Sequence, residues 1–266
     1  YTIVDTFYAG KISPEALSAL SKSFPIYFLI IATSIGVTVA GTSLIGSSIG
    51  EKNEKNVLSY FGNVIIYSII ISIVVSILGF AFGEKIFLLM NSSQEVTILG
   101  LEYINVIFLG TILFILVVAL NSFLHAEGNT KTYRNVLIFS FFLNIFLNPL
   151  FIWGYGFVPG FGIAGLAIAT VISQLIGTIY LAYKVYNCKI REFLRLECFI
   201  PKFDFLKSIT NQAVPVMFSM LFIGVGIFNI LYFIGKFGDL ATAGYGAALR
   251  IEQVFLLPVI GLNTAV

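Results

Sequence analysis

The chain has 266 residues, of which 58% are hydrophobic and only 11% are charged, and its formal net charge is +2. Soluble domains carry roughly 25% charged residues, so this composition excludes an ordinary soluble protein and indicates a polytopic membrane protein. The basic residues are scattered at the ends of apolar runs and form no patch, so the charge gives no argument for a nucleic-acid partner and we expect none.

Asp5 is the first residue along the chain that calls for a functional explanation. It lies in an apolar segment, which we interpret as the end of a helix that stops at about Ala9. A charge at membrane depth costs several kcal/mol and is usually retained for ion or substrate handling. Burial also disfavours the ionised form of a carboxylic acid. We therefore predict a role in ion coupling; the alternative is that Asp5 faces water, about 7.5 Å before Gly10.

Long apolar runs follow Asp5 at regular intervals. A hydrocarbon core of about 30 Å requires roughly 20 residues per helix. The predicted helices after the first are 16–46, 57–82, 101–124, 135–153, 163–186, 211–235 and 241–266. Because helices satisfy their own backbone in lipid, the sequence predicts an all-α, polytopic transmembrane helix bundle of eight segments, with the first and the last incomplete.

The distribution of Lys and Arg orients this bundle. Ten such residues lie in the connections 51–56, 125–134 and 184–209, whereas three lie on the opposite side, at Lys11, Lys85 and Lys236. Cytoplasmic loops carry the excess of positive charge. We therefore expect a multi-pass protein of the cell membrane, with these three connections and the part of the protein before residue 1 in the cytoplasm.

A weak internal repeat relates the two ends of the chain at an offset of 225 residues. Gly10-Lys11 corresponds to Gly235-Lys236, and Ala16 corresponds to Ala241. Six predicted spans separate the two copies, so the repeat is parallel, and such repeats commonly flank a substrate path. We predict an amino-terminal lobe of six helices at 1–190, a cytoplasmic linker at 191–210 and the start of a second lobe at 211–266.

Several short sequences, in order along the chain, resemble one family of transporters. They are Val4–Gly10, Gly50–Asn53, Glu127–Lys131, Asn144–Ile152, Gly162–Gln174 and Arg250–Glu252. Their combination is similar to the multidrug and toxic compound extrusion (MATE) family. The resemblance implies a fragment of an antiporter that exports amphipathic, often cationic, drugs or toxic metabolites in exchange for protons or sodium ions. It also implies a monomer that needs no cofactor, and whose partners are the lipid bilayer, small-molecule substrates and a coupling cation.

The resemblance also assigns residues to an ion-coupling site. The family's acidic residue of the first helix matches Asp5, and its polar site residues match Asn121, Asn144, Asn148 and Thr170. Asn121 rests on its position before Leu124-His125 alone. The family often has Asp where this chain has Asn148, so the site carries one carboxylate fewer, which puts sodium coupling in doubt more than proton coupling.

The residues of the fifth predicted helix support the same site without the family. Asn144 and Asn148 are four residues apart and share one helix face. Pro149 has no N–H, so the carbonyl of Ile145 loses its usual partner and becomes available to an ion or a water. The alternative is that the two amides only hydrogen-bond neighbouring helices.

Two questions stay open at this level. Arg250 and Glu252 could form a second polar centre or could simply neutralise each other. The chain has one His and no cluster typical of a catalytic or metal site, so we predict that it is not an enzyme. The stronger rival is a lipid-linked oligosaccharide flippase of related architecture, which we expect to line its cavity with Arg and Lys.

Overall fold

The computed structural model describes residues 2–188 and 196–265. These residues form nine α-helices and a short 3-10 helix, Leu196–Phe199. The α-helices are α1 (Thr2–Ile12), α2 (Pro14–Gly50), α3 (Glu54–Leu89), α4 (Gln94–Leu109), α5 (Thr111–Ala126), α6 (Thr130–Trp153), α7 (Ile163–Tyr186), α8 (Phe203–Gly235) and α9 (Asp239–Ala265). The predicted all-α membrane bundle is confirmed.

Five of these helices, α2, α3, α6, α7 and α8, are long and apolar enough to cross a membrane. The pair α4 and α5 passes the same test together, as one span bent by 44°. The predicted single helix 101–124 is therefore wrong in detail, because it breaks at Gly110. The missing side chain of Gly110 admits Val171 of α7, whose Cγ2 would lie 2.5 Å from a Cβ at this position.

The predicted linker is shorter than expected, because α8 begins at Phe203 and not at 211. Residues 191–195 of that linker, and with them Lys189, Arg191 and Arg195 of the charge count, lie outside the described residues. The end of the linker is bound to the amino-terminal helices, since the buried amide of Asn63 accepts a hydrogen bond from the Lys202 N–H at 2.9 Å.

Helix α2 is the centre of the bundle and packs against α3, α4, α5, α8 and α9. Its buried face is rich in Ala, Ser and Gly, and small residues let membrane helices approach closely. At Gly36 a Cβ would lie 2.8 Å from the carbonyl oxygen of Ala213 in α8. The two predicted lobes therefore meet along α2, where the backbones of α2 and α8 nearly touch.

Helix α1 joins α2 through a tight turn at Ser13 and packs against it. The Ser13 hydroxyl caps α2 by accepting from the Ala16 N–H at 3.0 Å, and Pro14 occupies the first helical turn. Helix α1 also packs against α6 and α7. This arrangement brings the only acidic residue of α1, Asp5, to the α6–α7 pair.

Candidate ion-coupling site

Four buried polar side chains form a closed hydrogen-bonded ring between α1, α6 and α7. Asn148 donates from Nδ2 to Asp5 Oδ1 at 3.0 Å and to Asn144 Oδ1 at 3.2 Å. Asn144 donates to the Thr170 hydroxyl at 3.2 Å, and Thr170 donates to Asp5 Oδ2 at 3.3 Å. No member is more than 3% exposed. The ring brings together four of the five residues that the sequence analysis selected for ion coupling.

The local sequence explains this geometry. Asn144 and Asn148 stand one turn apart on α6, so both amides face the same neighbour. Thr170 reaches them because α7 approaches α6 closely at Gly165, where a Cβ would lie 2.8 Å from the backbone nitrogen of Ile152. The ring therefore depends on a small residue outside it.

The hydrogen bonds of the ring suit an ionised Asp5. Both of its oxygens accept from neutral donors, which stabilises a buried negative charge without a bound cation. Asn148 Oδ1 is buried and has no hydrogen-bond partner among the described residues. A buried oxygen without a hydrogen-bond partner usually binds a ligand or forms its hydrogen bond in another state of the protein. Asn148 can offer Oδ1 to a protonated Asp5 if its amide and that of Asn144 turn over together, because Asn144 must then donate to Asn148.

The carbonyl that Pro149 leaves without a backbone donor has another partner. The Tyr8 hydroxyl donates to Ile145 O at 3.3 Å, and the Tyr8 ring packs edge-on against Trp153 at a centroid distance of 5.8 Å. The missing N–H of Pro149 led us to expect a carbonyl available to an ion, and the Tyr8 hydroxyl binds this carbonyl instead. The signal was present, because Tyr8 lies three residues after Asp5 on the same face of α1.

Tyr8→Phe is expected to weaken the site without destroying it. The variant keeps the ring and loses one hydrogen bond, worth about 1 kcal/mol, which corresponds to about a fivefold loss of correctly docked α1. Efflux by vesicles containing the full-length variant measures the effect. Tyr155→Phe is the matched control, because its side chain is 83% exposed. Equal activity of the two variants would show that Tyr8 does not support the site.

The structure does not bring Asn121 to the ring. Gly110 contacts Val171, the neighbour of Thr170. Asn121 lies eleven residues farther along α5, which is about 16 Å at 1.5 Å per residue. Its Oδ1 is buried and has no partner among the described residues. Asn121 is therefore separate from the ring, and a role for it in ion coupling stays a prediction without contacts to support it.

Arg250 and Glu252 are not paired in the structure. Arg250 is buried, donates to Gln253 Oε1 at 3.0 Å and places its guanidinium 4.2 Å from the centroid of the Phe24 ring. It is also close enough to Asp5 and Tyr103 for electrostatic interaction. Glu252 is exposed. Arg250 is therefore buried without Glu252 beside it, and a second polar centre at Arg250 stays a prediction.

Comparisons with known proteins place this geometry in a family context. The family model described as MatE matches residues 1–150. "Probable multidrug resistance protein YoeA" of Bacillus subtilis is 28% identical, over 95% of this chain and 55% of its own length. "Probable multidrug resistance protein NorM" of Thermotoga maritima is 27% identical, over 100% of this chain and 57% of its own length. The "FAD transporter" of Shewanella oneidensis is 26% identical, over 100% of this chain and 59% of its own length.

Solved structures show the same fold. A MATE transporter of the MOP superfamily in an inward-facing conformation superposes with a TM-score of 0.89 at 25% identity. It is matched over 98% of this chain and 59% of its own. An outward-facing conformation of a MATE transporter superposes with a TM-score of 0.80 at 25% identity. It is matched over 98% of this chain and 58% of its own. The chain thus spans somewhat more than half the length of the relatives and structures that it matches.

Proposed function

The chain belongs to the MatE family of membrane transporters, and we propose that it is part of a secondary active antiporter. The antiporter exports amphipathic, often cationic, small molecules in exchange for protons or sodium ions. The ring around Asp5 carries this proposal, because a buried carboxylate whose hydrogen-bond donors are all neutral is a site that a cation can occupy. The multidrug resistance names of the relatives support the substrate class.

We propose the proton as the coupling ion. A sodium ion requires several oxygen ligands, whereas the groups that face Asp5 are an N–H of Asn148 and the O–H of Thr170. A proton requires only one carboxylate and one acceptor. The unpartnered Asn148 Oδ1 supplies that acceptor when the amide turns, and the Thr170 hydroxyl can rotate to donate elsewhere.

The exchange of substrate for a proton follows because both compete for the negative charge of Asp5. When Asp5 is ionised, a cationic substrate in the cavity is attracted to it, and when Asp5 is protonated that attraction is lost. Proton binding from outside would therefore release substrate outward, and proton release to the cytoplasm would restore the charge. A ligand can shift a transporter between two states only by binding them with different affinity, and the charge on Asp5 supplies that difference.

A lipid-linked oligosaccharide flippase is the second candidate function. One observation favours it: Arg250 is a buried cation between the predicted lobes, where a pyrophosphate group could bind. The other buried basic side chain of residues 2–188 and 196–265, that of Lys22, is instead ion-paired with Asp239 at 2.8 Å. A single unpaired cation is a weaker basis for pyrophosphate recognition than the basic lining expected of a flippase.

Vesicles containing the full-length protein distinguish these functions. A fluorescent lipophilic cation and a fluorescent lipid-linked pyrophosphate are offered separately, each under an imposed proton gradient at fixed sodium and under a sodium gradient at fixed pH. The antiporter proposal predicts cation transport that follows the proton gradient. Transport of the pyrophosphate lipid without transport of the cation would overturn it in favour of the flippase.

Asn148→Asp is expected to increase the dependence of transport on sodium. The substitution adds a second carboxylate next to Asp5, and each negative oxygen ligand strengthens sodium binding. The measurement is initial efflux rate against sodium concentration at fixed pH. Asn135→Asp is the matched control, because it adds the same charge at an exposed position of α6, thirteen residues or about 20 Å before Asn148. A sodium response that rises equally in both variants would show that the effect is not local to the ring.

A further inference from the structure

Lys22 is a fully buried cation in α2, and neither of its hydrogen-bond partners belongs to the ring at Asp5. Its side chain has no solvent exposure. Its Nζ lies 2.8 Å from Asp239 Oδ1 and donates to the backbone carbonyl of Asn91 at 3.3 Å. A buried charge is tolerated only when it is paired and hydrogen-bonded. The position of Lys22 therefore depends on two other segments, the α3–α4 connection and the start of α9.

Asp239 accepts hydrogen bonds from α2 and from the α3–α4 connection. Besides Lys22, it accepts from the Ser93 N–H at 3.3 Å and from the Ser18 hydroxyl at 3.4 Å. Its side chain keeps 22% of its exposure. Lys22, Ser18 and Ser93 belong to the predicted first lobe, whereas Asp239 opens the second helix of the predicted second lobe. These hydrogen bonds and the ion pair therefore connect the two predicted lobes.

Two glycines make close contacts next to this ion pair and leave little space for water around it. Gly235, at the end of α8, lies against the Met90 carbonyl, and Gly246 of α9 lies against the side chain of Ser21. The connections involved, 90–93 and 236–238, are on the side opposite the basic, cytoplasmic loops. The lobes thus touch at their outer ends, as expected for a transporter closed to the outside. In agreement, the chain superposes better on the inward-facing transporter, with a TM-score of 0.89, than on the outward-facing one, with a TM-score of 0.80.

We propose that the Lys22–Asp239 pair is the outer gate of the transport path, and that it separates and re-forms once in each transport cycle. This inference rests on the proposed function as a transporter. Opening the outer face must pull α9 away from α2 and expose Lys22 to water. While the face is closed, Lys22 has no solvent to replace Asp239, so the pair holds the two lobes together until substrate and ion binding favour the open state.

The gate is tested by access to a reporter cysteine in the full-length protein. Ser21→Cys, in a background without other cysteines, puts a thiol beside Lys22 at a position that is 7% exposed and covered by α9. A membrane-impermeant maleimide added from outside labels it only when the outer face opens. Asp239→Lys, which places two cations together, is expected to raise the labelling rate about tenfold. Asp239→Asn, the milder variant, is expected to raise it less.

Reversal of the pair provides the rescue. Lys22→Glu combined with Asp239→Lys restores opposite charges across the same contact, so labelling should return to within about threefold of the parent rate. Lys85→Asp, at an exposed position near the same membrane face, is the control and should leave labelling unchanged. Parent-like labelling of both Asp239 variants, or fast labelling that persists in the double variant, would overturn the gate.

The labelling experiment does not depend on transport of any substrate. If labelling responds as expected but neither the cation nor the pyrophosphate lipid is transported, the gate stands and the proposed function fails. If the cation is transported and labelling does not respond, the function stands and the assignment of Lys22 and Asp239 is wrong.

Discussion

Asp5→Asn in the full-length protein is expected to abolish coupled efflux and to leave membrane insertion and folding intact. Asparagine has nearly the same shape and can still accept a hydrogen bond from Asn148, so the ring loses little stability. It cannot take up a proton or attract a cation, so the substrate no longer competes with the coupling ion. Efflux of a fluorescent cation from vesicles under a proton gradient should fall to the level of empty vesicles.

Asp204→Asn is the matched control for this variant. It makes the same chemical change at an exposed position in the first turn of α8, where no ion coupling is expected. Gradient-dependent efflux by Asp5→Asn at the rate of this control would remove Asp5 from the mechanism.

Gly165→Val is expected to have the largest effect on folding. A Cβ at this position would meet the carbonyl of Phe151 and would lie 2.8 Å from the backbone nitrogen of Ile152. Backbone cannot move aside as a flexible side chain can, and overpacking of this kind typically costs about 1–3 kcal/mol. The displaced α7 would also carry Thr170 away from Asn144. We expect a lower thermal transition of the purified protein together with loss of efflux.

Gly226→Val separates this effect from the general cost of a branched residue in a helix. Gly226 lies on α8, and nothing lies within 4 Å of the position of its Cβ. If the two valine variants unfold at the same temperature and transport equally well, the close contact between α6 and α7 is not what supports the ring.

Much of the fold could be predicted from the sequence, because apolar runs of the right length have one stable form in lipid. The errors lie at the ends and at one break. Helix α3 continues to Leu89, beyond the predicted end at 82, because Glu84 and Lys85 are exposed and do not stop the helix. The break at Gly110 depends on the approach of Val171 from another helix, which no local pattern contains.

The candidate site was partly visible for a similar reason. Asn144 and Asn148 share a face by spacing alone. The meeting of Asp5 with Asn148 joins residues 143 apart in the chain, and it was predicted only through the resemblance to a known family. Asn121 was selected by its place in the sequence, and the structure leaves it separate from the other four.

Lys22 was overlooked although it breaks the same rule that identified Asp5. It lies within the predicted helix 16–46, and orientation was judged from the charges in the connections alone. Its partner Asp239 is 217 residues away and belongs to the predicted second lobe. A charge inside an apolar segment indicates a partner or a function, but its spacing along the chain does not say where the partner lies.

Proton release on substrate binding is the most direct test of the proposed exchange at Asp5. Purified full-length protein in weakly buffered detergent solution is mixed with a saturating lipophilic cation, and a pH indicator records the protons released. The wild type is expected to release a proton as the substrate binds, Asp204→Asn should do the same, and Asp5→Asn should release none. Equal proton release by wild type and Asp5→Asn, or substrate binding by the wild type without any proton release, would contradict proton exchange at this carboxylate.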